Sequence, residues 1–175
     1  MIRTERLILD AWQSSDWKAF RPIATDPEVM RYINGGIPWT DERIQEFVGR
    51  QIDTLERRGF CRWKLIEAAS GQLIGFCGPG IWRDRLEPEI GWWLARSHWG
   101  KGLATEAARA ALRDAFERVQ LPRLISVAMP ENLASIAIMK KLGLTLDAEF
   151  ESEGTRLVRY AMSHGQFGTL KVYEC

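Results

Sequence analysis

The chain has 175 residues, 46% of them hydrophobic and 27% charged, which suits one soluble globular domain with a proper core and neither low-complexity tracts nor repeats. Lys and Arg number 24 against 23 Asp and Glu, and the resulting net charge of +1 argues against a uniform basic field for nucleic acid. Three cysteines (Cys61, Cys77, Cys175) without CxxC spacing, His98 and His164 as the only histidines, and no apolar run near the roughly 18 residues of a membrane span imply a reduced, cytoplasmic protein without disulfide framework, metal centre or membrane partner.

Arg6 to Trp12, RLILDAW, reads as a first strand, and Ser14 or Ser15 as the cap of a short helix burying Trp17, Phe20 and Ala24. In TDPEVMRYI, Asp26 is a natural N-cap, Pro27 suits the first helical position and Glu28 complements the positive helix end, while Asn34 to Gly36 stops the helix. From Thr40, a stripe of Ile44, Phe47, Val48, Gln51 or Ile52, and Leu55 at helical period predicts a longer helix that Gly59 terminates. CRWKLIE and QLIGFCGPGIW flank the turn AASG and predict an antiparallel hairpin, with PEIGWWLA as a further strand.

Ala108, Leu112, Ala115, Phe116 and Val119 keep the helical period, and Pro122 requires that helix to have ended. LISVAM reads as a buried strand. Asn132 and Gly143 bracket a further helix, and LTL with LVRYAM make a closing pair of strands. The order predicts a mixed α+β domain, with antiparallel hairpins around a central strand, helix, strand, helix unit.

Between PEIGWWLA and the alanine-rich helix stands WLARSHWGKGLATEA, Trp93 to Ala107. A helix N-terminus exposes unpaired N–H groups and a partial positive charge, so it binds phosphate where the backbone can come close. Gly100 and Gly102 permit that approach and Lys101 adds charge; the alternative is a tight turn in which glycine merely supplies unusual dihedrals. A P-loop is excluded because Gly102, not Ser or Thr, follows Lys101, and GxGxxG is excluded because position 105 is Thr.

The segment resembles the pyrophosphate loop of the GNAT acetyltransferases, (Gln/Arg)-x-x-Gly-x-(Gly/Ala), with Trp99, Gly102 and Ala104 at the defining positions. Trp99 departs from Gln or Arg, and WGKGLATEA is similar to the variant of the ribosomal-protein N-terminal acetyltransferase (RimJ/RimL-type) branch. TERLILDAW, DPEVMRYI, EIGWWLA and PENLASIAIMKKLGL extend the resemblance over residues 1–164, whereas the tail 165–175 has no counterpart and reads as an added strand or a disordered end.

The resemblance implies a twisted, mixed, mostly antiparallel sheet of about seven strands, flanked by helices and splayed between the fourth and fifth, with acetyl-CoA in the opening. It implies that backbone at Trp92 and Leu94 pairs with the pantetheine arm as a strand would. Trp99, Gly100, Lys101, Gly102, Leu103, Ala104 and Thr105 would hold the pyrophosphate, and Asn132 and Ser135 would reach the pantetheine and its sulfur. It implies no metal.

Acetyl transfer to an amine needs a neutral amine, a polarised carbonyl and a proton for the departing thiolate. Glu89 is the first candidate base, with Glu87 and Glu149 open as alternatives; alternation puts Glu89, Gly91 and Trp93 on one face of their strand and Ile90, Trp92 and Leu94 on the other. Ser135 is the candidate proton donor to sulfur. Its own first-turn hydrogen bonding is the structural alternative, as N-capping is for Asn132. His98, with no orienting carboxylate identifiable, reads as a packing residue.

The tryptophans at 39, 82, 92, 93 and 99 read mainly as core, with Trp39 a candidate wall of the amine site. Cys61 and Cys77 fall in the hairpin away from the loop, which argues against an acyl-cysteine route. The expected activity is acetyl-CoA-dependent N-acetyl transfer to a primary amine, on a protein N-terminus or a small molecule, within a ternary complex. The expected enzyme is a monomer or homodimer, and the competing reading is a non-catalytic acyl-CoA sensor on the same fold.

Overall fold

A computed structural model of the chain describes residues 1–81 and 87–173, so the expectations for Trp82 and Cys175 lie outside the described residues. Its strands are β1 (Ile2–Arg3), β2 (Leu7–Asp10), β3 (Trp63–Glu67), β4 (Leu73–Ile81), β5 (Pro88–Leu94), β6 (Arg123–Ala128), β7 (Thr145–Ser152) and β8 (Thr155–Ser163). Its helices are α1 (Trp17–Ala24), α2 (Pro27–Met30), α3 (Asp41–Arg58), α4 (Leu103–Arg113), α5 (Leu133–Lys141) and α6 (His164–Tyr173).

The eight strands form one sheet in the order β1-β2-β3-β4-β5-β6-β8-β7. Every neighbouring pair is antiparallel except β5 and β6, which run parallel with a single register pair, Glu89 with Ile125. The sheet therefore opens beyond Glu89. The expected splay between the fourth and fifth strands falls here between β5 and β6, because the two-residue β1 takes the first number.

Helix ends follow the chemistry of their sequences. Asp26 accepts the Glu28 N–H ahead of Pro27, Thr40 accepts the Arg43 N–H, and Gly59 closes α3 in the left-handed region at φ +74°. Ser14 and Ser15, expected as caps, instead lie within a 3-10 turn, Ser14–Asp16, whose Asp16 carboxylate accepts the Gln13 N–H at 2.7 Å.

Two cores cover the two faces of the sheet. On one, Ala107, Ala108, Ala111 and Ala115 of α4 and the turn after it are fully buried, and their small side chains let the helix lie close on Leu65, Cys77 and Ile90. On the other, Phe20, Phe47, Phe76, Trp12, Trp39 and Trp93 form an aromatic cluster beneath α1 and α3, with centroids 5.1 Å apart for Phe47 and Phe76 and 4.6 Å for Trp39 and Trp93. Such pairs add about 0.5–1.5 kcal/mol each beyond the area they bury.

The tail expected as a strand or a disordered end is helical from His164 to Tyr173. Ser163 and Gln166 make a reciprocal capping pair, the Ser163 N–H donating to Gln166 Oε1 at 2.8 Å and the Gln166 N–H to Ser163 Oγ at 3.3 Å. Phe167 stacks on Phe116 at 4.9 Å, which ties the helix to the core.

Candidate cofactor cleft and active site

From Leu94 the chain makes a 3-10 turn, Arg96–His98, and enters α4 through Gly100 (φ +72°) and Gly102 (φ +76°). Both angles lie in the left-handed region that L side chains avoid. A Cβ on Gly100 would meet nothing within 4 Å, so dihedral and surface access, not packing, call for glycine there. Gly102 is also the N-cap of α4 and carries no side chain to cap it, so the first-turn amides stay directed at an incoming anion.

The loop is braced from behind. The Arg6 Nη1 donates to the Lys101 carbonyl at 2.9 Å, and Glu106 in the first turn of α4 accepts from Thr4 Oγ1 at 2.6 Å, the Arg6 N–H at 2.9 Å and Arg6 Nε at 2.7 Å. Partial burial would raise the Glu106 carboxyl, but the Thr4 and Arg6 hydrogen bonds and the Arg6 charge outweigh it and hold the group below the usual carboxylate range.

A cleft of about 480 Å³ runs from this loop into the opening between β5 and β6. Trp92, Trp93 and Leu94 line one side, Asn132, Ser135 and Ile138 of α5 the other, and Val29, Tyr32 and Ile33 close the end beside α2. A larger, more open depression of about 780 Å³ lies on the far flank of α4, between Arg3, Arg109 and Arg113. It is lined by neither the splayed strands nor Ser135, so the smaller cleft is the candidate site.

The Ala95 N–H donates to the Ile74 carbonyl at 2.8 Å, on the β4 side. By alternation the backbone groups of Trp92 and Leu94 point to the opposite edge, where β6 has already diverged. One of those groups is engaged within the chain: the Trp99 indole N–H donates to the Leu94 carbonyl at 2.8 Å, fixing a ring that is 46% exposed at the cleft mouth. Trp99 thus ties the loop to the strand end with its side chain.

Asn132 caps α5, its Oδ1 accepting the Ser135 N–H at 3.2 Å, and both residues line the cleft. Glu89 is 8% exposed on the face shared with Trp93, at the last paired position before the strands part, with Arg62 Nη2 at 2.5 Å from its Oε2. Glu87 is bound to Arg123 at 2.9 Å and Glu149 is exposed on the edge strand β7. Trp39 is 9% exposed and does not line the cleft; it stands behind Trp93, which does.

His98 lines the cleft, and the carboxylate that sequence could not identify is Glu67, 3.5 Å from Nε2, with Ser97 Oγ 3.0 Å from Nδ1. A hydrogen bond from Ser70, ahead of the nearby His98 and Lys101 charges, holds the Glu67 carboxyl below its ordinary value. Tyr32 and Arg62 are the other site-adjacent residues that sequence reasoning missed. Tyr32 sits in the DPEVMRYI segment already tied to the family, while Arg62 carries no local signal. Cys61 and Cys77 are fully buried, and burial pushes the Cys61 thiol up to about 12 and raises Cys77 as well, so neither is a nucleophile.

The arrangement fits acetyl-CoA: an uncapped helix N-terminus behind two left-handed glycines for the pyrophosphate, a β5 edge without a β6 partner beyond Glu89 for the pantetheine arm, with its Leu94 carbonyl taken by Trp99, and Ser135 lining the cleft. The Acetyltransferase (GNAT) domain family matches residues 6–145. The chain is 32% identical over 151 residues to the uncharacterised N-acetyltransferase YnaD of Bacillus subtilis (strain 168), covering 86% of this chain and 85% of that protein. The GNAT-family acetyltransferase structure from Bacillus anthracis superposes with a TM-score of 0.79 at 27% identity, covering 94% and 98% of the two chains. The ribosomal L7/L12 α-N-protein acetyltransferase RimL, in complex with coenzyme A, shares the fold at a TM-score of 0.77 and 19% identity, covering 91% and 95%. The loop, the splayed sheet and these likenesses agree: the chain belongs to the GNAT acetyltransferase family and is an acetyltransferase.

Proposed function

We propose that this enzyme transfers the acetyl group of acetyl-CoA to a primary amine, on a protein N-terminus or a small molecule, directly within a ternary complex, and that it belongs to the RimJ/RimL-type branch. The observation that carries the reading is the opening of β5 from β6 beyond Glu89, which joins the Gly100 to Thr105 loop to Ser135 in one cleft. Acetyl-CoA, when bound, supplies the acetyl thioester. The amides from Trp99 to Thr105 and the Lys101 charge hold its pyrophosphate, and the Trp92 and Leu94 backbone, with Asn132, aligns the pantetheine arm.

Glu89 removes the proton from the acceptor ammonium, leaving the nitrogen lone pair to attack, and the Ser135 hydroxyl offers a hydrogen to the departing sulfur. A thiol with an ordinary pKa of about 8.5 is an easy leaving group, so the Ser135 contribution is the smaller of the two. Tyr32 and Ile33, at the end of the cleft beside α2, form the wall against which the acceptor lies.

The test is acetyl-CoA-dependent thiol release with four acceptor classes: a peptide with a free N-terminus, an aminoglycoside, a polyamine and a free amino acid. At least one class should turn over, and Glu89→Gln should lose rate below that amine's pKa and recover part of it at high pH, where free amine needs no base. A pH-independent ratio of variant to wild-type rate would remove Glu89 as the base. Binding of acetyl-CoA with turnover on none of the four would overturn the acceptor reading and place the acceptor outside these classes.

A further inference from the structure

We infer that Arg62 is the positioning residue for Glu89, seated in a slot that Gly80 and Gly91 leave open on the acceptor side of the sheet. The inference rests on the reading of Glu89 as the base. The register of β4 with β5 stacks three cross-strand pairs on one face: Phe76 with Trp93, Gly78 with Gly91, and Gly80 with Glu89. Between an aromatic wall and a carboxylate lies a stretch of sheet with no side chains.

Arg62 crosses that stretch. A Cβ on Gly80 would lie 2.8 Å from Arg62 Nε and 3.2 Å from its Cγ, and one on Gly91 would lie 3.6 Å from Nε. The guanidinium carbon stands 5.7 Å from the Phe76 ring centroid, and Nη2 reaches Glu89 Oε2 at 2.5 Å. The residue is fixed at its backbone too: the Trp12 indole donates to the Arg62 carbonyl at 2.5 Å, and the Arg62 N–H donates to Oε1 of the buried Gln51 at 3.1 Å.

The placement is not one that satisfies the arginine itself. Among the described residues its Nε is buried with no hydrogen-bond partner, as are the indole N–H groups of Trp39 and Trp63. A buried ion pair is moreover weak evidence for stability, since apolar packing of similar volume often does as well. What the arrangement does secure is a carboxylate held in one orientation at the splay. Other charged groups on this face include the cluster of Glu87, Arg123, Asp147 and Arg159, Lys64 paired with Asp16 further along β3, and Asp10 opposite Lys64. Arg62 touches Glu89 directly.

Arg62→Met, Arg62→Lys and Gly80→Ala are assayed by the pH dependence of kcat and KM with the fastest of the four acceptor classes above, and by carbon-13 NMR titration of the Glu89 carboxyl. Arg62→Met should lower kcat at least tenfold at unchanged KM for acetyl-CoA, and move both the acid limb and the Glu89 titration to higher pH. Lysine should restore part of the loss. Gly80→Ala should shift both in the same direction while altering neither charge, because its Cβ displaces the guanidinium stem; it also carries the test if Arg62→Met fails to fold. An unmoved Glu89 titration in Arg62→Lys and Gly80→Ala, with equal losses for lysine and methionine, would overturn the inference and leave the pair structural. Glu89→Gln, run alongside, separates the two failures: full activity there removes the base itself, whereas loss there with an unmoved acid limb in the other variants removes only the role of Arg62.

Discussion

Ser135 stands in the first turn of α5 with its N–H already engaged by Asn132, so its position is fixed by the backbone, and the residue lines the cleft. If its hydroxyl meets sulfur only as charge develops there, Ser135→Ala should lower kcat and kcat/KM together by ~10–100-fold, the low end of what proton-transfer groups contribute. A higher KM for acetyl-CoA at unchanged kcat would show instead that Ser135 holds the cofactor. Ser135 and Glu89 could be named as candidates from the sequence because each lies inside a contiguous motif. Arg62 could not: it stands 27 positions before Glu89, and only the register of the hairpin brings the two together. Trp39 misled for the opposite reason, since a loop tryptophan reads as a wall whether it faces the cleft or, as here, backs the residue that does.

At the scale of elements, α4 opens on the amides proposed to bind the pyrophosphate, and Glu106 clamps its first turn to Thr4 and Arg6. The folded Glu106 carboxyl titrates below its unfolded value, so its contribution to stability is complete above the ordinary carboxylate range of about 4.3 and is lost as pH falls through the depressed folded value. Glu106→Gln should therefore be less stable than wild type in urea at neutral pH, with the difference shrinking toward zero in acid; a difference constant with pH would contradict the clamp. Most element ends were readable from caps, as at Asp26, Thr40, Gly59 and Asn132. The tail helix was not, although Ser163 and Gln166 hold the spacing of a capping box: Gly165 and Gly168 lower its intrinsic propensity, and the stacking of Phe167 on Phe116 that stabilises it is a tertiary contact.

The whole molecule is one sheet with a core on each face, held together at β5 and β6 by a single register pair. Splitting a sheet leaves backbone donors and acceptors without a strand partner, and a ligand arm that behaves as a strand is what completes them. The mixed class and the antiparallel hairpins follow from local patterning; the splay does not, because divergence of two strands leaves no mark on either one's alternation. The central claim is that the cleft takes acetyl-CoA by seating its pyrophosphate on the Gly100 to Thr105 loop. Calorimetric titration of acetyl-CoA into wild type and Gly102→Val tests it, since valine at φ +76° strains the turn that presents the amides and sets a side chain against the Arg6 brace behind it. Affinity should fall at least tenfold, about 1.4 kcal/mol, while affinity for S-acetylpantetheine, which lacks the pyrophosphate, stays as in wild type; equal affinity of both proteins for acetyl-CoA would contradict the account.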